Sequence, residues 1–153
     1  MKRSIIGLLA LVVVGFSRTA AAGPAEEVAQ IAAPRLQALQ EGNLDAYMAA
    51  FADNAVFQSA FSAFRVEGSP AIRAHFLEVF RIYPKRLVLP RQALSRVYND
   101  DLVITNSYSV IYLTNQQGQV SVHPIRSSVV WARVGGRWQI VDQHGSQLPV
   151  AAR

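Results

Sequence analysis

The sequence has no cysteine. Disulfides, thiolate nucleophiles and thiolate-held metals are thereby excluded, and an oxidising compartment is permitted without being exploited. Acidic residues are scarce, ten against fifteen basic ones. The formal charge of +5 overstates the surplus, because Lys2, Arg3 and Arg18 fall in an N-terminal segment that stands apart. The charge left is too small to draw nucleic acid or an anionic membrane by bulk electrostatics. Repeats, low-complexity tracts and linkers are absent. Histidine occurs three times, as His75, His123 and His144. Together with Asp142 these lack the close spacing of a zinc site, so the sequence calls for no metal and no cofactor.

One long apolar run is present, from Ile5 to Phe16. Lys2 and Arg3 precede it, and Ser17-Arg18-Thr19 and the small residues Ala20-Ala21-Ala22-Gly23 follow. Basic, then apolar, then small is the order of a secretory signal, with Ala20-x-Ala22 as the cleavage site. An uncleaved anchor is the rival, but the run falls short of the ~20 apolar residues a spanning helix needs. No twin-arginine pair is present, which points to general secretion. The expectation is a signal peptide over 1–22 and a mature domain over 23–153. That domain works in the periplasm or outside the cell, with no membrane contact after cleavage. Its length suits one domain of ordinary size.

The first half of the mature chain predicts helices. Val28, Ile31, Leu36 and Leu39 recur at roughly helical spacing from Pro24 to Gln40. Pro34 sits inside that run and predicts a kink or short break. Gly42 is a stop signal and Asn43 an N-cap for a second helix, which places Leu44, Tyr47, Met48 and Phe51 on one stripe. Asp53-Asn54 turns the chain into a short strand over 55–58. Ser69-Pro70 predicts a helix start, with serine as the cap and proline first inside, and the helix runs to about Arg81. Ile72, Phe76, Val79 and Phe80 form its buried face. His75 shares that face, either as a hydrogen-bonded core histidine or as a polar group lining a pocket.

After Pro84 the pattern changes to long β-branched and aromatic runs: 86–98, 102–114, 120–134 and 137–145. Asn99-Asp100-Asp101, the segment 115–118 and Gly135-Gly136 separate them with turn chemistry. Lys85, Arg86, Arg91 and Arg96 read as a solvated strand edge that resists aggregation. Helices first and an antiparallel meander second predict an α+β fold, with the helices on one face of a curved sheet.

Strand pairing yields a candidate site. With a two-residue turn at Gly135-Gly136, Val134 faces Arg137, Trp131 faces Ile140, Val129 faces Asp142 and Ser127 faces His144. With Thr114 facing Gln119, Tyr108 faces Ile125 and Val110 faces His123. Facing residues share one side of a sheet. One face then collects Asn106, Tyr108, His123, Ser127, Trp131, Asp142, His144 and Ser146, and a single bulge would flip part of the set. A hydroxyl-bearing aromatic, serines, histidine and a carboxylate on an apolar wall can orient a small polar molecule. His144 would relay a proton near neutral pH, with Asp142 beside it on the same face. No serine lies in a nucleophile-elbow sequence, so a Ser-His-Asp triad is disfavoured. Each residue also has an ordinary role: Trp131 as core, Tyr108 as a wet cap on the core, Asp142 as a surface ion-pair partner.

Three stretches of the mature chain resemble a nuclear-transport-factor-2-like domain of the SnoaL-like type. They are Gly42–Ala46 with Phe51–Phe57, Val66–Arg73, and Arg126–Trp131 running through Gly136–Ser146. The resemblance implies a cone: three N-terminal helices packed on a strongly curved antiparallel sheet, with a pocket at the mouth and frequent homodimers. The C-terminal part also resembles the calcium/calmodulin-dependent kinase II association domain and the iota-class carbonic anhydrase relatives. The latter tend to end in His-His-Ser-Ser-x-x-Pro, where this chain has Gln143-His144-Gly145-Ser146-Gln147-Leu148-Pro149. Their Thr-Gly-x-Tyr-Thr stretch is similar to Thr105-Asn106-Ser107-Tyr108-Ser109. The resemblance implies His144, Tyr108 and Ser146 as catalytic residues, with Ser127, Asp142, Trp131, Asn106 and His123 binding the ligand; Thr105 falls on the opposite face in the predicted register. Two functions follow as expectations. One is a metal-independent lyase or hydratase, in its most concrete form hydrating carbon dioxide. The other is a non-catalytic periplasmic module that binds a small ligand or a partner.

Overall fold

The computed structural model describes residues 22–149, so the expected signal peptide lies, but for its last residue, outside the described residues. Helix α1 spans Pro24–Glu41 and α2 spans Leu44–Met48. Strands β1 (Phe51–Gln58) and β2 (Val66–Glu67) come next, and then helix α3 (Ser69–Ile82). The long strands β3 (Lys85–Asn99), β4 (Leu102–Thr114), β5 (Val120–Val134) and β6 (Arg137–Gln147) complete the described elements. The fold is the expected α+β cone: helices lie on the inner face of a six-stranded sheet ordered β2-β1-β6-β5-β4-β3. All neighbouring strands run antiparallel except β1 and β6, which are parallel.

Local signals set the helix ends. Gly42 takes φ +80°, open to glycine without steric cost, and its N–H donates to the Ala38 carbonyl to close α1. The Asn43 side chain accepts from the Ala46 N–H at 3.1 Å and starts α2. The break expected at Pro34 does not occur, and α1 runs through it. Pro34 is exposed, so the carbonyl it cannot serve is free to meet water. Helix α2 is shorter than expected, because Phe51 already belongs to β1 and the Ile140 N–H donates to the Ala50 carbonyl at 2.7 Å. Helix α3 is capped by Gly68 and not by Ser69. Gly68 stands at φ +83° and donates to the Ala55 carbonyl, which fixes the chain one residue before the serine.

The core sits between the helices and the inner face of the sheet. Val28, Ile72, Val103, Trp131 and Ile140 are its most deeply buried side chains. Phe76 of α3 meets Tyr47 and Phe57 at ring-centroid distances of 4.6 and 5.1 Å. Two polar clamps join the layers. Arg86 is buried and is not part of the solvated edge expected from the sequence. It donates to the Leu39 and Tyr83 carbonyls and lies 3.9 Å over the Phe80 ring, tying the ends of α1 and α3 to β3. At the other end, the Glu27 carboxylate accepts from Trp138 Nε1 at 2.7 Å and from Arg133 Nη2 at 3.0 Å.

Those bonds, that of Trp138 foremost, hold the Glu27 carboxyl below the usual glutamate range. A lowered folded pKa stabilises the fold above about pH 5, and that contribution is lost as pH falls through the glutamate range. Glu27→Gln is therefore expected to lower the melting temperature at neutral pH and to match wild type in acid. Thermal melts of both proteins across pH check this; a constant gap at every pH would show that the carboxylate charge contributes nothing.

Candidate functional site

The strand registers differ from those expected at two places. The turn after β4 holds five residues, because the Asn115 side chain accepts from the Gln117 and Gln119 N–H groups and Gly118 adopts φ +78°. Thr114 therefore faces Val120 and not Gln119, and Tyr108 faces Arg126 and not Ile125. In the last hairpin, Val134 faces Arg137 and Trp131 faces Ile140, as the glycine turn dictates. A bulge then intervenes, so Val130 and not Val129 faces Asp142, and Ser128 and not Ser127 faces His144.

The expected single face is thus divided. Trp131, His123 and Ser127 lie on the inner face with the helices. Asn106, Tyr108, Asp142, His144 and Ser146 lie on the outer face. A groove of about 510 Å³ on the outer side brings together Asn106, Tyr108, His144 and Ser146, with Arg96, Arg126, Ser128, Leu94 and others as walls; Ser127 also lines it, although its hydroxyl bonds Ser107 on the inner face. It leaves out Trp131, Asp142 and His123. Within it, Asn106 Nδ2 donates to Ser128 Oγ at 2.8 Å and Arg126 Nε donates to Ser146 Oγ at 2.9 Å. Tyr108 and His144 are exposed.

The inner face carries a second polar set. Thr105, placed on the opposite face by the predicted register, is here on the inner one. Its Oγ1 meets Ser95 Oγ at 2.9 Å, and it shares a cross-strand row with Val129 and Gln143. The next row holds Ser107 and Ser127, with hydroxyls 2.8 Å apart, and Gly145. His123 bonds Ser121 Oγ at 2.9 Å and packs edge-on against Phe61. His75 lies against the Phe57 and Phe76 rings, and burial lowers its pKa. So many half-buried hydroxyls on the helix side of a sheet are unusual for plain core, which is built from apolar groups.

The residue that gives this set its chemistry is Arg35 of α1. Its guanidinium lies 4.1 Å from the Tyr47 ring centroid and 4.8 Å from that of Phe51, and Nη2 donates to Gln143 Oε1 at 2.8 Å. Its Nε is inaccessible to solvent and has no hydrogen-bond partner among the described residues. Trp131 Nε1, in the same core, is likewise buried without an acceptor. No carboxylate among the described residues pairs with Arg35. Burial pushes the guanidinium pKa down, with Tyr47 opposing, and burial pushes the Tyr47 phenol up, with Arg35 opposing. A desolvated cation with free donors is a receptor for an anionic oxygen. The sequence carried a trace of it, since Arg35 takes a buried-stripe position of α1 between Ile31 and Ala38. Among the described residues, no three of His, Asp and Glu stand together as a metal site would need.

The model of the calcium/calmodulin dependent protein kinase II association domain family matches residues 24–149. No curated protein matches the chain. Among solved structures, one from Xanthomonas campestris is provisionally described as such an association domain. It shares 24% identity, covers 85% of this chain and 91% of its own, and superposes with a TM-score of 0.74. A Streptomyces avermitilis protein, provisionally described as a dehydratase of the NTF2-like family, shares 10% identity over 83% of this chain and 98% of its own, with a TM-score of 0.74. A Catenulispora acidiphila protein solved in complex with S-DNPA shares 23% identity over 79% and 90%, with a TM-score of 0.66.

Proposed function

The chain belongs to the calcium/calmodulin dependent protein kinase II association domain family, and from that premise we propose that it is an exported, dimeric, small-ligand-binding cone that holds a carboxylate or similar small oxyanion against Arg35. One observation carries this reading: a buried guanidinium that has no carboxylate partner among the described residues and whose Nε is unbonded. Leaving a charge desolvated and unpaired costs several kcal/mol. A bound anion recovers part of that cost through charge-assisted hydrogen bonds. The Gln143 amide, the Trp131 indole N–H and the hydroxyls of Thr105 and Ser127 are the neutral groups of the same inner face. The Tyr47 and Phe51 rings favour an apolar or aromatic body behind the carboxylate.

Calorimetric titration of the mature chain with benzoate and with benzamide tests this. Benzoate is expected to bind and the neutral isostere to fail. Equal binding of both, or of neither, would remove Arg35 as an anion receptor.

A second reading is a metal-independent hydratase. The gathering of Tyr108, His144 and Ser146 in one groove favours it. Stopped-flow carbon dioxide hydration with a chelator present, beside His144→Ala, separates the two. Activity that resists the chelator and vanishes in the variant would establish the hydratase.

A further inference from the structure

We infer that Gln143 sets the charge of the ligand, so that the Arg35 site takes a singly charged oxyanion and refuses a doubly charged one. The inference rests on Arg35 being an anion receptor, as proposed above, and adds what Gln143 does there.

Gln143 lies on the inner face of β6, in one cross-strand row with Val129, Thr105 and Ser95. Its Oε1 accepts from Arg35 Nη2 at 2.8 Å, across 108 residues of sequence. A glutamate has nearly the same size and would offer the same guanidinium a carboxylate oxygen. That bond would be charge-assisted, about twice as strong, and would neutralise Arg35 from within. The amide does one thing without the other. It fixes the direction of the guanidinium and leaves its charge uncompensated.

Among the described residues nothing nearby supplies a second charge. An arginine stays protonated in a protein. Burial raises the Tyr47 phenol, and Arg35 and a hydrogen bond with Gln143 oppose it only in part, so the phenol is neutral. The cross-strand rows on either side, Ala93 to Gly145 and Val97 to Ile140, hold no charged residue. Glu27, Asp45 and Glu78 of the helices are each paired with another arginine, respectively Arg133, Arg73 and Arg81. The site therefore carries one net positive charge, and one negative charge on the ligand cancels it. A second negative charge would itself be desolvated and unpaired, which is the condition that binding relieves.

The test compares phenyl sulfate with phenyl phosphate by calorimetry on the mature chain. The two have the same shape, but above about pH 7 the sulfate carries one charge and the phosphate close to two. Wild type is expected to bind phenyl sulfate, and to bind phenyl phosphate about thirtyfold more weakly at ~pH 8. At about pH 5, where the phosphate keeps its second proton, the gap should close. Gln143→Glu, checked for folding by circular dichroism, should bind neither benzoate nor phenyl sulfate, a loss of about a hundredfold or more. Gln143→Met keeps the charge of the site and loses only the bond. It should still prefer the sulfate, with affinity lowered about tenfold. Equal binding of sulfate and phosphate by wild type at ~pH 8 overturns the inference. So does a folded Gln143→Glu that holds benzoate as wild type does. In both cases Arg35 would remain an anion receptor. A wild type that binds neither benzoate nor phenyl sulfate overturns this inference and the Arg35 reading together.

Discussion

Replacing Arg35 with methionine is expected to make the protein more stable and to abolish its response to carboxylates. The two side chains are similar in length, so the thioether would still lie against Tyr47 and Phe51. What changes is the charge. Arg35 stands desolvated, with Nε unbonded and no carboxylate among the described residues to offset it. Exchanging buried ionic groups for apolar ones of similar volume commonly stabilises by about 1–4 kcal/mol. The Gln143 oxygen loses its donor, which returns roughly 1 kcal/mol, so a net gain of about 1–2 kcal/mol is expected. Urea denaturation of both proteins, with and without benzoate, gives the answer. A destabilised methionine variant would make Arg35 a staple between α1 and β6, held by its bond to Gln143. A stabilised one that no longer answers benzoate is the signature of a binding group kept at the expense of the fold.

The largest loss of stability is expected from Phe76→Ala. Phe76 is 7% exposed and its ring touches those of Tyr47, Phe57, His75 and Phe80. It joins α3 to both α2 and β1. Deleting such a ring costs about 3–5 kcal/mol through lost burial and the cavity left behind. Small domains have only about 5–15 kcal/mol in all. A loss of less than about 3 kcal/mol by urea denaturation would show that the neighbouring rings collapse into the space.

Phe76 was legible in the sequence, and Arg35 was not. Ile72, Phe76, Val79 and Phe80 repeat at helical spacing behind a proline start, and apolar periodicity states which face is buried. The long strands and their turns were legible for the same reason, and the glycine pair at 135–136 gave the adjoining register correctly. Register away from that turn was not legible. The extra turn residue is held by the Asn115 side chain, and the bulge at Val141 answers to how β6 must meet β1. One more residue in a turn and a single bulge are differences too small for residue type alone to fix, and each moves side chains to the opposite face. That is why Tyr108, His144 and Ser146 parted from Trp131. Arg35 escaped because an arginine on a helix is ordinarily solvated, and its burial follows from the aromatic rings that α2 and β1 bring to it.

The parallel pairing of β1 with β6 has a kinetic consequence. Phe51 pairs with Ile140, and Gln58 with His144. Pairing of β1 thus requires β6, the last strand among the described residues. Until β6 arrives, β1 has only the two-residue β2 beside it, and the inner wall that buries Tyr47 and Phe51 is missing. Contacts between distant parts of a chain form late, because loop closure must precede them. The N-terminal half of this chain is therefore expected to complete its packing only after β6 has been made.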